Sequence, residues 1–98
     1  EEVVIRLGRK TKIDRVQLDF SYFVNNNPLE VSIEASDGNA WREIVAKTNV
    51  KKFAGNRREF RIQDPTVYQE LRVRTYPDGG INRIRVFGPD LAASTKPR

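Results

Sequence analysis

The chain of 98 residues carries 18 Lys+Arg against 13 Asp+Glu, a net charge of +5, with 38% hydrophobic and 32% charged residues. That length bounds it to one domain, and the composition is too apolar for a disordered chain and too charged for a membrane protein. It holds no cysteine and no histidine, so disulfides, thiolate nucleophiles, Ser-His or Cys-His relays and imidazole metal ligands are excluded within it.

No run approaches the roughly 18 consecutive apolar residues of a spanning helix, and the opening EEVVIRLG is acidic rather than a basic secretory leader. A cytoplasmic protein with no membrane partner is expected. The positive charge is spread along the chain and no nucleic-acid motif accompanies it, so a mild preference for anions is expected and no nucleic-acid partner.

Strand signals dominate from the start. Val3, Ile5 and Leu7 alternate with Glu2, Val4 and Arg6, which predicts a strand with one buried face that Gly8 closes. Val16, Leu18 and Phe20 alternate with Arg15, Gln17 and Asp19 in a second strand, and Asn25-Asn26-Asn27-Pro28 supplies turn residues after it. The run LEVSIEA sets Leu29, Val31, Ile33 and Ala35 against Glu30, Ser32 and Glu34, and Asp37-Gly38 ends it.

Trp41 to Val45 predicts a short strand with Trp41 in the core, followed by a polar connection TNVKKFAGNRR and renewed alternation at Glu59-Phe60-Arg61-Ile62. Leu71, Val73 and Thr75 alternate with Arg72 and Arg74. Pro77-Asp78-Gly79-Gly80 then has turn chemistry, and Ile84 and Val86 alternate with Arg83, Arg85 and Phe87. The tail PDLAASTKPR lacks periodicity and is expected to be frayed. Short strands at regular spacing, without a 3.6-residue stripe, predict an all-β, antiparallel β-sandwich. Residues 1–88 are expected to form this domain and residues 89–98 a flexible C-terminal tail.

The segment YPDGGINRIRVFG with the preceding LRVRT resembles the end of an allantoicase repeat, where a strand, a Tyr/Phe-Pro-Asp-Gly-Gly turn and an Arg-containing strand ending in Gly recur. Upstream, VVIRLG, IDRVQLDFSYFVNNNPLEVSIEA and Trp41 fall in the family's order, so the resemblance covers roughly residues 2 to 88. It implies a jelly roll of the galactose-binding-like or discoidin type. It also implies hydrolysis of allantoate to ureidoglycolate and urea in purine breakdown, by a longer chain that joins two repeats. Where the family often has a Thr and a His, this chain has Phe20 and Tyr22.

Asp78-Gly79-Gly80 is the first candidate site. The glycines let backbone N–H groups approach a ligand, and the carboxylate can accept from ureido N–H donors or act as a base. The bland alternative is a tight turn that uses Asp78 for its own backbone. Arg83 and Arg85, with Arg72 and Arg74 on the preceding strand, would form a cationic surface able to hold a carboxylate if those strands paired. Charge balance by Glu34, Glu59 and Glu70 is the competing reading. Asp19, Asn25 and Asn26 could build a polar rim loop, or simply satisfy turns. Lys51, Lys52, Arg57 and Arg58 beside Phe53 have the look of a phosphate loop, with a solvated connection as the alternative.

Two functions compete. In the first, the chain is a repeat of a ureide hydrolase in which Asp78 is catalytic and Gly79, Gly80, Arg83, Asp19 and Asn26 bind substrate. No metal ligands are assigned, the cofactor is unknown, and the partner is a small-molecule ureide. In the second, it is a non-catalytic galactose-binding-like module that recognises carbohydrate or protein through rim loops, a reading that Phe20 and Tyr22 favour. Either allows a homo-oligomer or a second repeat in the same chain.

Overall fold

The structure, a computed structural model, describes residues 2–19, 30–50, 57–77, 81, 83–89 and 91–95, the last five by their backbone alone. Eight strands run through the described residues: β1 (Glu2–Lys12), β2 (Arg15–Asp19), β3 (Glu30–Ser36), β4 (Trp41–Asn49), β5 (Arg57–Arg61), β6 (Val67–Tyr76), β7 (Arg83–Gly88) and β8 (Leu91–Thr95). They form two antiparallel four-stranded sheets, sheet A in the order β1-β6-β3-β4 and sheet B in the order β5-β2-β7-β8.

The alternation read from the sequence places one side chain in two between the sheets, because successive side chains of a strand point to opposite faces. Val31, Ile33 and Ala35 of β3 and Leu71 and Val73 of β6 are fully buried, facing Val16 and Leu18 of β2 and Ile84 and Val86 of β7. Phe60 and Tyr68 close the core at its flanks. The expected antiparallel sandwich is therefore the fold.

Local boundaries differ from expectation where a residue serves a different purpose. Gly8 does not close β1. It takes φ +80° inside a bulge, where pairing steps from Arg6↔Glu70 to Thr11↔Tyr68, and the strand resumes to Lys12. β4 extends to Asn49, beyond the expected Val45, through register shifts against β3. In the tail expected to be frayed, Leu91–Thr95 pairs antiparallel with β7 as β8, because backbone pairing needs no hydrophobic periodicity.

The connections set the site. β2 ends at Asp19 in sheet B and β3 begins at Glu30 in sheet A. β4 ends at Asn49 in sheet A and β5 begins at Arg57 in sheet B. β6 ends at Tyr76 in sheet A and β7 begins at Arg83 in sheet B. Since Glu30 pairs with both Tyr76 and Asn49, and Asp19 with both Arg57 and Arg83, all six strand ends lie at one rim of the sandwich. At the opposite end the ladder of sheet B is extended by Asp14 N–H donating to Phe87 O and Ile62 N–H donating to Asp14 O.

Candidate functional site at the sandwich rim

The topology gathers the candidate residues that it describes, and the strand ends that flank the others. Asp19 and Arg83 are register partners in adjacent strands, and Arg57 pairs with Asp19 from the other side, so the three form one row across the outer face of sheet B. Asp19 is 9% exposed although it lies on the face turned away from the core, and Arg57 Nε is 3.6 Å from its Oδ2. Arg83 opens β7 half-buried and, among the described residues, makes no ion pair. Asn26, Asp78, Gly79 and Gly80 lie outside the described residues. They fall within the segments that leave Asp19 and Tyr76 at this rim.

The expected continuous cationic surface is not formed. β6 and β7 follow one another in sequence but belong to different sheets. Arg72 and Arg74 therefore lie on the outside of sheet A, while Arg83 and Arg85 lie on the outside of sheet B. On sheet A the charges are neutralised. Arg72 donates side-on to Glu34 through Nε to Oε1 at 3.0 Å and Nη2 to Oε2 at 3.1 Å. Arg74 bridges Glu2 at 3.1 Å and Glu34 at 3.4 Å. The hydrogen bond from Arg72 holds the Glu34 carboxyl below the usual range, assisted by the charges of Arg72 and Arg74 and opposed by desolvation.

Trp41, expected in the core, is instead 36% exposed, and the Arg72 guanidinium stacks over its ring at 4.1 Å. It begins β4 at the sheet edge, where Ser36 is its partner, and its flat face covers the Arg72–Glu34 pair. Tyr76 shares a hydrogen bond between its hydroxyl and Ser32 Oγ at 3.0 Å and carries the Lys47 ammonium over its ring at 4.1 Å. Both aromatic faces are thus covered by cations, and Tyr22 lies outside the described residues.

On sheet B the cations are less matched. Arg15 bridges Glu59 at 3.0 Å and stacks over Phe87 at 4.2 Å, but among the described residues Arg85 meets only the neutral Gln17 Oε1, at 3.4 Å. Of the basic group expected as a solvated connection, Lys51 and Lys52 lie outside the described residues, and Arg57 and Arg58 open β5. Arg58 faces inward: it is the register partner of Leu18, which is fully buried, and shares that face with Phe60. The alternation noted at Glu59-Phe60-Arg61-Ile62, carried one strand position back, places Arg58 on the core side, and this was the signal for it.

This architecture defines a class: a β-sandwich of the galactose-binding-like jelly-roll type. The fold is shared with CBM32-3 from a family 31 glycoside hydrolase of Clostridium perfringens, at 18% identity and a TM-score of 0.64 over 95% of this chain and 60% of that one. Likeness to allantoicase from Saccharomyces cerevisiae is stronger, with a TM-score of 0.77 and 29% identity over 89% of this chain and 27% of that one.

The Allantoicase repeat family matches residues 1–91, and the chain belongs to that family. It is 38% identical over 94 residues to "Probable allantoicase 1" of Burkholderia mallei, covering 87% of this chain and 27% of that protein. It is 32% identical over 97 residues to "Probable allantoicase" of Pseudomonas paraeruginosa, covering 90% of this chain and 28% of that protein. The chain therefore spans only a little over a quarter of the length of these relatives.

Proposed function

We propose that this repeat is part of a longer ureide hydrolase that converts allantoate to ureidoglycolate and urea. The observation that carries the reading is the family match over residues 1–91, joined to a topology in which the strand ends around every candidate residue share one rim. In the reaction the bond between the central carbon of allantoate and one ureido nitrogen breaks. Water supplies a hydroxyl group to that carbon and a proton to the departing urea.

With no histidine in this chain, Asp78 is the residue proposed to activate water. Gly79 and Gly80 would offer backbone N–H groups, Asn26 and Asp19 would meet the ureido groups, and Arg83 would supply positive charge to the substrate carboxylate. A second repeat in the same chain would complete the protein, which could assemble further as a homo-oligomer. A cytoplasmic site of action fits a catabolic enzyme. Among the described residues no helix is long and apolar enough to cross a membrane.

The test is urea release from allantoate by the complete parent protein, with and without divalent metal, beside an Asp78→Asn variant. Loss of release in the folded variant is expected. A folded, metal-supplied parent protein that releases no urea overturns the hydrolase reading and leaves the galactose-binding-like module that recognises carbohydrate or protein.

A further inference from the structure

Arg57 and Arg58 are consecutive in β5 and so project to opposite faces of sheet B. Arg57 is turned outward and bridges Asp19. Arg58 is turned into the sandwich one row in from the described rim, in line with Leu18 and, through Leu18, with Ile84, both fully buried. Its guanidinium carbon lies 5.3 Å from the centre of the Phe60 ring. Its Nε is buried and has no hydrogen-bond partner in the protein, alone among the buried side-chain nitrogens and oxygens of the described residues.

An orphaned charged donor inside a fold is costly and calls for an explanation. Stacking on Phe60 orients the guanidinium plane but satisfies no N–H group. The Nε edge of a guanidinium is the edge that grips a carboxylate side-on, as Arg72 grips Glu34 on sheet A. A single cation among Leu18, Ile84 and Phe60 suits a planar monoanion. A phosphate dianion would call for further cations, and among the described residues none shares this inward row: Arg57 and Arg83 both lie on the opposite face.

We propose that Arg58 is the carboxylate-binding residue of a ligand site at the inner edge of this rim, and that its ligand is a small ureido monocarboxylate. The carboxylate follows from the orphaned donor, whereas the ureido part rests on the hydrolase reading. Arg83, on the outer face beside Asp19, then contributes charge to the approach of the acid rather than its seat.

The experiment titrates the complete parent protein and its Arg58→Met and Arg58→Lys variants calorimetrically with ureidoacetate, propionate, the neutral ureidoacetamide and inorganic phosphate. Arg58→Met is expected to weaken ureidoacetate by at least about tenfold and to leave ureidoacetamide unchanged. Its unfolding temperature should equal or exceed that of the wild type, since a buried unsatisfied donor is removed. Arg58→Lys, which keeps the charge but loses the side-on pair, should fall between.

Equal ureidoacetate affinity in wild type and Arg58→Met overturns the assignment. So does parallel loss of the neutral amide, tighter binding of phosphate than of either carboxylate, or a wild type that binds neither ureidoacetate nor propionate. If the parent releases no urea from allantoate while ureidoacetate or propionate binding still depends on Arg58, the carboxylate site stands and the hydrolase reading falls. If urea release persists in Arg58→Met with KM unchanged, the hydrolase reading stands and Arg58 is not its carboxylate seat.

Discussion

Asp64 shows how far a single carboxylate can be specialised for structure. Its Oδ1 accepts from Thr66 N–H at 2.9 Å and its Oδ2 accepts from the Tyr68 hydroxyl. These bonds, that of Tyr68 first, depress the Asp64 carboxyl to about 2, while burial and then the bond to Asp64 raise the Tyr68 phenol. A depressed folded-state pKa means stability that is present above the unfolded value near 3.9 and is lost as pH falls toward 2. Tyr68→Phe should return the Asp64 titration toward the ordinary range, as read by carboxyl NMR, and cost about 1–2 kcal/mol at neutral pH with a smaller difference at pH 2. Glu34 follows the same sign: its contribution is present above the unfolded glutamate range and fades in acid. Because the Arg72–Glu34 pair is side-on, mostly buried and capped by Trp41, a double-mutant cycle with Glu34→Gln and Arg72→Met should give a coupling of about 1–2 kcal/mol, above the usual exposed pair. At this scale the sequence was legible as charge balance: Glu34 does neutralise Arg72 and Arg74. It was not legible for Trp41, because an aromatic residue opening an alternating strand fits a core position or an edge position equally until its neighbours are placed.

At the level of elements, the cores of β1, β2, β3, β5, β6 and β7 followed from alternation, while the ends followed from backbone geometry that the hydrophobic pattern does not carry. Gly8 reads as a terminator in sequence because glycine serves turns and bulges alike. The bulge it forms has open space where a Cβ would sit, so the penalty of substitution is conformational. Gly8→Val should destabilise by about 1–2 kcal/mol in chemical denaturation, Gly8→Asn by less, since Asn tolerates positive φ better than a β-branched residue. Gly38 has φ +101° in the β3–β4 turn, where its N–H donates to Ser36 Oγ and Asp37 Oδ1 accepts from Asn39 and Ala40 N–H groups. There the Asp-Gly signal read from the sequence has its usual meaning. β8 went unread for the opposite reason to Gly8: Leu-Ala-Ala-Ser-Thr has no alternation, and its pairing with β7 is a matter of main-chain hydrogen bonds.

For the molecule as a whole, two four-stranded sheets enclose one core, and the radius of gyration of 12.6 Å is that of a single domain of this length. Loss of a central residue should therefore be felt globally. Ile84→Ala, at a fully buried position between β2 and β8, is expected to cost about 2–5 kcal/mol by denaturant unfolding. Truncation after Gly88 would strip β8 from the edge of sheet B and leave the β7 ladder open, so a lower unfolding midpoint and a greater tendency to associate are expected, by calorimetry and light scattering. By itself the sequence determined the fold class, the buried face of each alternating strand and the family resemblance, because period-2 burial and turn chemistry are local properties of consecutive residues. Only the tertiary structure decided that β6 and β7 lie in different sheets, that Asp19 stands between Arg57 and Arg83, and that the Nε of Arg58 is left without a partner. Those facts depend on which strands pair, and strand pairing is set by the packing of the whole core rather than by any segment of the chain.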